Sequence, residues 1–328
     1  MNRLLFFFGM VASILAVTPC AYGLQQQKQR TKEIRNAYVN QFQCLRESDE
    51  AWLIKLHDKD GCPDPTQLTV KQQQSAWQEE LEPTECGWVD RQLVDLAQSH
   101  LSDPEMQTVI YIPGWRSTEC SSLRQANQVY AAMTASPDLP PVRFVYLVWK
   151  SAKTEKRIKT DYLKKSEYSK LVGQCLLPLM TQFQNRDVVF VGHSLGAQVT
   201  LTFLTQRNTL PDDGTRYKAA FLGSALHCEF AAEVAQQECQ LQQQTSRSLI
   251  LNNRKDFALR ASTRRVCAPR LGRKAGKISP IVEQKLIPLG TTEWVEVDRE
   301  VRCHHDIAFY VMSKEFPWRF ARLLNSGE

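Results

Sequence analysis

Residues 187–203 read Asp-Val-Val-Phe-Val-Gly-His-Ser-Leu-Gly-Ala-Gln-Val-Thr-Leu-Thr-Phe, and they constrain this chain more than any other stretch. Val188 to Val191 is an apolar, β-branched-rich run that suits a buried strand. From Ala197 the apolar spacing (Val199, Leu201, Phe203, Leu204) suits the start of a helix packed on a sheet. Gly192-His193-Ser194-Leu195-Gly196 lies between them, so Ser194 is expected on a sharp strand-to-helix turn. There its backbone is strained and its hydroxyl pushed out of the fold, while small residues two before and two after let strand and helix pass closely. The bare pentapeptide carries little weight; its placement makes Ser194 a candidate nucleophile.

The rest of the chain alternates strands and helices around this turn. Strands are expected at Thr108–Ile112 (halted by Pro113-Gly114), Val142–Trp149, Lys218–Leu222, Ser248–Leu251 and Glu293–Val297. Helices are expected at Leu123–Met133, about Tyr162–Gln184, and Asp306–Leu324. Ala51–Leu56 and Leu68–Lys71 read as weaker strands, and 72–105 carries helical spacing. Such alternation implies an α/β fold with a mostly parallel sheet covered by helices on both faces. The expected organisation is a signal peptide at 1–23, an N-terminal extension at 24–105 that is helical with the first strands of the sheet, and a catalytic domain at 106–328.

A net charge of +6, on 41 basic and 35 acidic residues, falls well short of a nucleic-acid-binding footprint. The basic run from Arg264 to Lys277 is interrupted by Gly, Ala and Pro and reads as a solvated loop; a peripheral membrane contact is compatible with it. At the N-terminus, Arg3, the apolar run Leu4–Val17 and the small residues ending at Gly23 read as a secretory signal peptide. Its 14 apolar residues are too short for a comfortable membrane span. Cys20 raises a lipid anchor, which Pro19 fits poorly, so the expected product is a soluble periplasmic or extracellular protein. Nine cysteines remain: Cys44, Cys62, Cys86, Cys120, Cys175, Cys228, Cys239, Cys267 and Cys303. In an oxidising compartment several should pair, and the odd count leaves at least one over, Cys175 in its apolar run being the expected buried thiol. With no Cys-x-x-Cys pair, no zinc site is expected.

A serine hydroxyl needs a base to take its proton, and the base needs a third group to orient it. Asp256 follows the strand at 248–251 and can serve as the acid, although capping the next helix is the ordinary use of such an Asp. Asp212 and Asp213 precede a strand and sit at the wrong end. Of six histidines (His57, His100, His193, His227, His304, His305), only the last two fall between the final strand and the final helix. His305, directly before the capping Asp306, is the expected base and His304 the alternate. The oxyanion of a tetrahedral intermediate needs two backbone N–H donors. Leu195 supplies one and Trp115, after the Gly114 turn, the other, unless Pro113-Gly114 is merely a strand-ending turn. Neither metal nor organic cofactor is required. The pocket could be bordered by 151–165 and 262–290, with Trp115, Phe221 and Phe257 making it apolar, if the phenylalanines do not simply fill core.

With these pieces in order, the chain resembles the α/β-hydrolase superfamily, and more narrowly a bacterial branch of exported serine hydrolases. The resemblance rests on Gly-His-Ser-Leu-Gly at 192–196, Leu-Asn-Asn-Arg-Lys-Asp-Phe-Ala-Leu at 251–259, and His305-Asp306 with Tyr310 behind them, within about 106–324. Members usually carry His-Gly where this chain has Pro113-Gly114. The resemblance implies an eight-stranded sheet and hydrolysis of an ester, thioester or amide through an acyl-enzyme, with a small-molecule or lipid-like ester as substrate. An acyltransferase built on the same three residues, and an inactive hydrolase-like interaction module, are the competing readings.

Overall fold

The computed structural model describes residues 46, 48–57, 69–71, 106–137, 139–176, 187–207, 214–225, 245–259 and 291–325. They lie in the unit Cys44–Glu328. The expectations for the signal peptide, the 72–105 helix, the Gln-rich helix at 230–244, the 262–290 loop and most cysteines lie outside the described residues.

Along the chain come β1 (Glu50–His57), β2 (Thr69–Lys71), β3 (Gln107–Ile112), α1 (Glu119–Thr134), β4 (Val142–Val148), α2 (Ile158–Cys175), β5 (Asp187–His193), α3 (Gly196–Arg207), β6 (Arg216–Leu222), β7 (Thr245–Asn252), β8 (Thr291–Glu296), α4 (Ile307–Val311) and α5 (Glu315–Asn325). The strands form one eight-stranded sheet in the order β2-β1-β4-β3-β5-β6-β7-β8. Every neighbouring pair is parallel except β1 with β2. The sheet therefore takes β1 and β2 from before residue 106. β4 lies on one side of β3 and β5 on the other, so the loops after β3 and β5 leave the sheet in opposite senses. That reversal opens a crevice at the carboxyl ends of the strands, where α/β proteins bind ligands.

Both faces of the sheet are covered, which is why β3 to β6 are almost continuously apolar. On one face, Ile110, Ile112, Val145, Leu147, Val188, Phe190, Phe221 and Ile250 pack with Tyr162, Tyr168 and Val172 of α2 and Val199, Phe203 and Leu204 of α3. The alternate residues (Val109, Tyr111, Phe144, Tyr146, Val189, Val191) are equally buried on the opposite face. There α5 packs against α1 and β7, and α4 against α1. Cys175 is buried at the end of α2, while Cys303 is exposed.

Two expectations change here. The closing helix is not continuous: α4 ends at Val311, and α5 starts at Glu315. Pro317 explains the break, since proline is tolerated in a first turn but not in a helix interior. Phe221 is wholly buried core, whereas Phe257 is 70 % exposed and fills no core.

The entry to β1 is locked by a polar cluster. Buried Asp49 accepts from the Tyr130 hydroxyl (2.6 Å), the Val142 amide (3.2 Å) and Arg46 (2.8 Å), and Arg46 also donates to the Leu139 and Pro140 carbonyls. Asp49→Ala leaves the buried Val142 N–H and the Tyr130 hydroxyl without their acceptor. A loss of about 3 kcal/mol is expected in urea unfolding with an unchanged m-value; a loss within experimental error would show the cluster to be dispensable.

Candidate active site

Ser194 has φ 53°, the left-handed region that a non-glycine residue rarely adopts. The conformation is held by hydrogen bonds on both sides: its N–H donates to the Leu222 carbonyl (3.1 Å), and its carbonyl accepts from Ala197 (3.2 Å) and Ala225 (3.1 Å). The flanking glycines are required by close approach. A Cβ on Gly192 would lie 2.8 Å from Ala197 Cα, and one on Gly196 would overlap the Ile112 carbonyl. A Cβ on Gly114 would lie 2.6 Å from Ser194 Cβ, so the loop after β3 rests directly on the serine.

The structure brings Ser194, His305 and Asp256 together. The Ser194 hydroxyl and His305 Nε2 are 2.9 Å apart, and His305 Nδ1 lies 2.6 Å from Asp256 Oδ2. Asp256 is fully buried, His305 retains 24 % of its side-chain exposure, and Ser194 is 6 % exposed. Burial works hardest against the Asp256 charge. The nearby His305, hydrogen bonds from His305 and the Tyr310 hydroxyl, and the Leu259 amide outweigh it, and the carboxyl is held below its ordinary range. An ionised Asp256 can only accept, so Nδ1 carries the imidazole proton and Nε2 presents its lone pair to the serine. For His305 burial again opposes charge most, but the Asp256 charge and hydrogen bond, with Asp306 further out, raise its pKa above the ordinary value.

His304 points elsewhere. Its ring stacks on Phe309 at 3.8 Å and 4°. Asp306 caps α4 by accepting from Ala308, which fixes the chain direction just after the two histidines. Asp256 uses its two oxygens separately: Oδ1 accepts from the Leu259 amide (3.0 Å) as a cap, while Oδ2 faces His305.

The acid and histidine loops are stitched to each other. Asn253 donates to the Arg302 carbonyl (2.8 Å), Phe257 N–H to the Cys303 carbonyl (3.2 Å), and Arg254 N–H to Asp298 (2.6 Å). Three participants were not identified from sequence as neighbours of the chemistry. The Tyr310 hydroxyl donates to Asp256 Oδ2 at 2.6 Å, on the same oxygen that faces His305. His193 Nε2 donates to the His305 carbonyl at 2.9 Å, leaving a buried Nδ1 with no partner among the described residues. Burial, then the nearby His305, lowers the His193 pKa to about 4, so this ring stays neutral. The third, Asp161, is fully buried and accepts from Trp115 Nε1 (2.6 Å) and the Thr154 and Glu155 amides (2.8 and 2.7 Å). A tyrosine in an apolar helix reads as core, and an acid in a Lys-rich stretch reads as solvated. Only tertiary packing reveals either role.

Both expected oxyanion donors are next in sequence to residues of this turn contact, Ser194 and Gly114. Leu195 follows Ser194 at the start of α3, and Trp115 follows Gly114. Neither N–H has an acceptor among the described residues. The loop is braced by Trp149 Nε1 on the Pro113 carbonyl (2.9 Å), Arg116 N–H on the Ser151 carbonyl (2.8 Å), and the Trp115 bond to Asp161. Among the described residues no group of three or more His, Cys, Asp or Glu is placed to hold a metal.

A parallel sheet with helices on both faces and a serine on the strained turn after β5 define the α/β-hydrolase fold, and this chain has that fold. No protein-family model and no curated protein sequence matches it. Solved structures similar to it include carboxylesterase CesB (YbfK) from Bacillus subtilis, at 11 % identity over 69 % of this chain and 86 % of that one, with a TM-score of 0.37. Another is bromoperoxidase from Bacillus anthracis, at 14 % identity over 67 % and 92 % of the two chains, also with a TM-score of 0.37. At that distance neither speaks to activity.

The electrostatics give a direct test by NMR. The His305 ring should titrate above the ordinary histidine value of about 6.5, and His193 near 4. In Asp256→Asn the His305 value should fall below 6.5, because burial then acts without the compensating charge. Tyr310→Phe should move it the other way, since a carboxylate relieved of one donor attracts the imidazolium proton more strongly. An unmoved His305 titration in both variants would refute this account of the pair.

Proposed function

We propose that the protein is an exported serine hydrolase that cleaves a carboxylic ester, or a related acyl bond, through an acyl-enzyme on Ser194. What carries the reading is the continuous chain Ser194 Oγ–His305–Asp256, with hydrogen bonds of 2.9 and 2.6 Å. Export is inferred from the N-terminal 23 residues, which read as a signal peptide.

In the proposed reaction Ser194 Oγ attacks the acyl carbon and its proton passes to His305 Nε2. The imidazolium is stabilised by Asp256, which also fixes the tautomer. Charge develops on the former carbonyl oxygen and is met by the Leu195 and Trp115 N–H groups. The tetrahedral intermediate collapses as His305 gives its proton to the departing alkoxide, leaving an ester on Ser194. Water then attacks the acyl carbon as His305 takes its proton, and the second intermediate collapses as His305 returns that proton to Ser194 Oγ, which frees the acid and restores the serine hydroxyl. An alcohol in place of water would make the same steps an acyl transfer, so the products formed with and without added alcohol separate the two.

A fluorophosphonate probe should label the wild type and not Ser194→Ala; absence of labelling in folded wild type would sink the enzyme reading and leave the interaction module. With a series of p-nitrophenyl esters, Asp256→Asn should cost about 10⁴-fold in kcat. His305→Ala should remove turnover, whereas His304→Ala should stay within severalfold of wild type; the reverse would reassign the base. The base must be unprotonated, so kcat/KM should fall as pH drops through the raised His305 pKa. An acid limb below the ordinary histidine value would contradict the assignment.

A further inference from the structure

One short stretch carries most of the charge. Between Lys150 and Lys165 seven side chains are Lys or Arg and two are acidic, a net +5 against +6 for the whole chain. The acids do not offset the outer surface: Asp161 is buried on Trp115 and backbone amides, and Glu155 pairs with Lys164. Lys153, Lys156, Arg157 and Lys159 are exposed, and none has an acidic partner among the described residues. Three of them sit where the helix would reject them. Arg157 is the N-cap of α2 and offers no capping hydrogen bond, with Lys156 before it and Lys159 in the first turn. Cations there face the positive end of the helix dipole, where Asp, Ser or Thr would stabilise.

The same surface is apolar as well as basic. Ile158 and Leu163 are each 40 % exposed, two of four large hydrophobic side chains so exposed among the described residues. The surface also adjoins the site. Asp161 and Tyr162, between those two residues, hold Trp115 by a hydrogen bond and a 5.2 Å edge-on ring contact. Tyr162 also donates to the Ala225 carbonyl (3.5 Å), and Ala225 donates to the Ser194 carbonyl. Arg116, with its guanidinium 5.1 Å from the Trp115 ring, adds another exposed cation on the loop that rests against the serine.

We infer that the amino-terminal part of α2 and the segment before it form a docking surface for an anionic lipid layer, placing the Ser194 site against acyl chains presented there. Unpaired cations attract the headgroups, and exposed Ile158 and Leu163 enter the boundary beneath them. A soluble polyanion would match the cations but give the two apolar side chains nothing to do. The inference rests on the acyl-hydrolase reading only for what the surface serves.

The test is sedimentation of the full chain with vesicles of phosphatidylcholine alone, or mixed with phosphatidylglycerol, at low and high salt. Binding should require phosphatidylglycerol and fall as salt rises. The triple variant Lys156→Gln, Arg157→Gln, Lys159→Gln should partition roughly 100-fold more weakly, at about fivefold per cation near the surface. Removing cations from a helix N-terminus favours the helix, so that loss cannot be ascribed to misfolding. Ile158→Ser with Leu163→Ser should weaken binding about tenfold. Equal binding to neutral vesicles, or an unaffected triple variant, would overturn the inference. So would an unaffected Ile158/Leu163 variant, which would mark a soluble polyanion as the ligand. Turnover of a short soluble ester without vesicles should be alike in wild type and both variants; its absence in wild type would remove the hydrolase reading and leave the vesicle result standing.

Discussion

Everything at this site depends on how closely the β5–α3 turn approaches the end of β3. The helix after Ser194 starts against the Ile112 and Pro113 carbonyls, with no room for a side chain at residue 196. That contact sets the height of the serine above the sheet. It also brings Gly114 onto the serine, so the loop carrying Trp115 is placed by the same approach. Ser194 is tied to β6 as well, through its amide on Leu222 and its carbonyl on Ala225. Three neighbouring strands thus hold one residue, and a serine so held is already ordered for the proposed attack.

The histidine and its carboxylate are fixed by a different means. They ride on loops rather than strand ends, and loops are ordinarily the mobile parts of such folds. Here the two loops are hydrogen-bonded to each other through Asn253, Arg254 and Phe257, and the His305 carbonyl is anchored on His193 beside the serine. The distance from His305 to Ser194 is therefore set from the serine's own turn. A neutral His193 suits that anchoring role, because a second imidazolium 5.1 Å from the first would oppose the charge that the proposed reaction places on His305.

The parts legible in the sequence were those whose cause is local. The serine turn announces itself through a β-branched run, small residues on either side and a helical repeat, all within 17 residues. The alternation of buried strands gave the sheet because both faces are covered and each strand is a short apolar block. Between His304 and His305 the one local cue is the position of His305 directly before the capping Asp306; in the fold, what separates them is the stacking of the His304 ring on Phe309. Asp161 was illegible for the opposite reason. In a stretch of seven bases an acid looks solvated, and only the fold turns it inward to Trp115. Tyr310 lies in an apolar helix where its hydroxyl gives no sequence signal, yet it shares an oxygen with the histidine. Phe257 is a simpler case: of the two readings open for it, core is excluded, since the acid loop turns its backbone to Cys303 and its ring to solvent.

Backbone strain also gathers at this end of the sheet. Among the described residues three that are not glycine have positive φ: Arg116, Ser194 and Arg302. One follows the proposed oxyanion donor, one is the proposed nucleophile, and one lies three residues before the proposed base. Each such conformation costs of order 1 kcal/mol or more and persists only where the surroundings over-determine it. A sequence selected for stability alone would relax such conformations. Their concentration where β3, β5 and β8 give way to loops sets this rim apart from the strand interiors, where no described residue has a positive φ. The strain at Arg116 and Arg302 argues for a site on grounds independent of the serine motif, because both residues lie outside Gly-His-Ser-Leu-Gly.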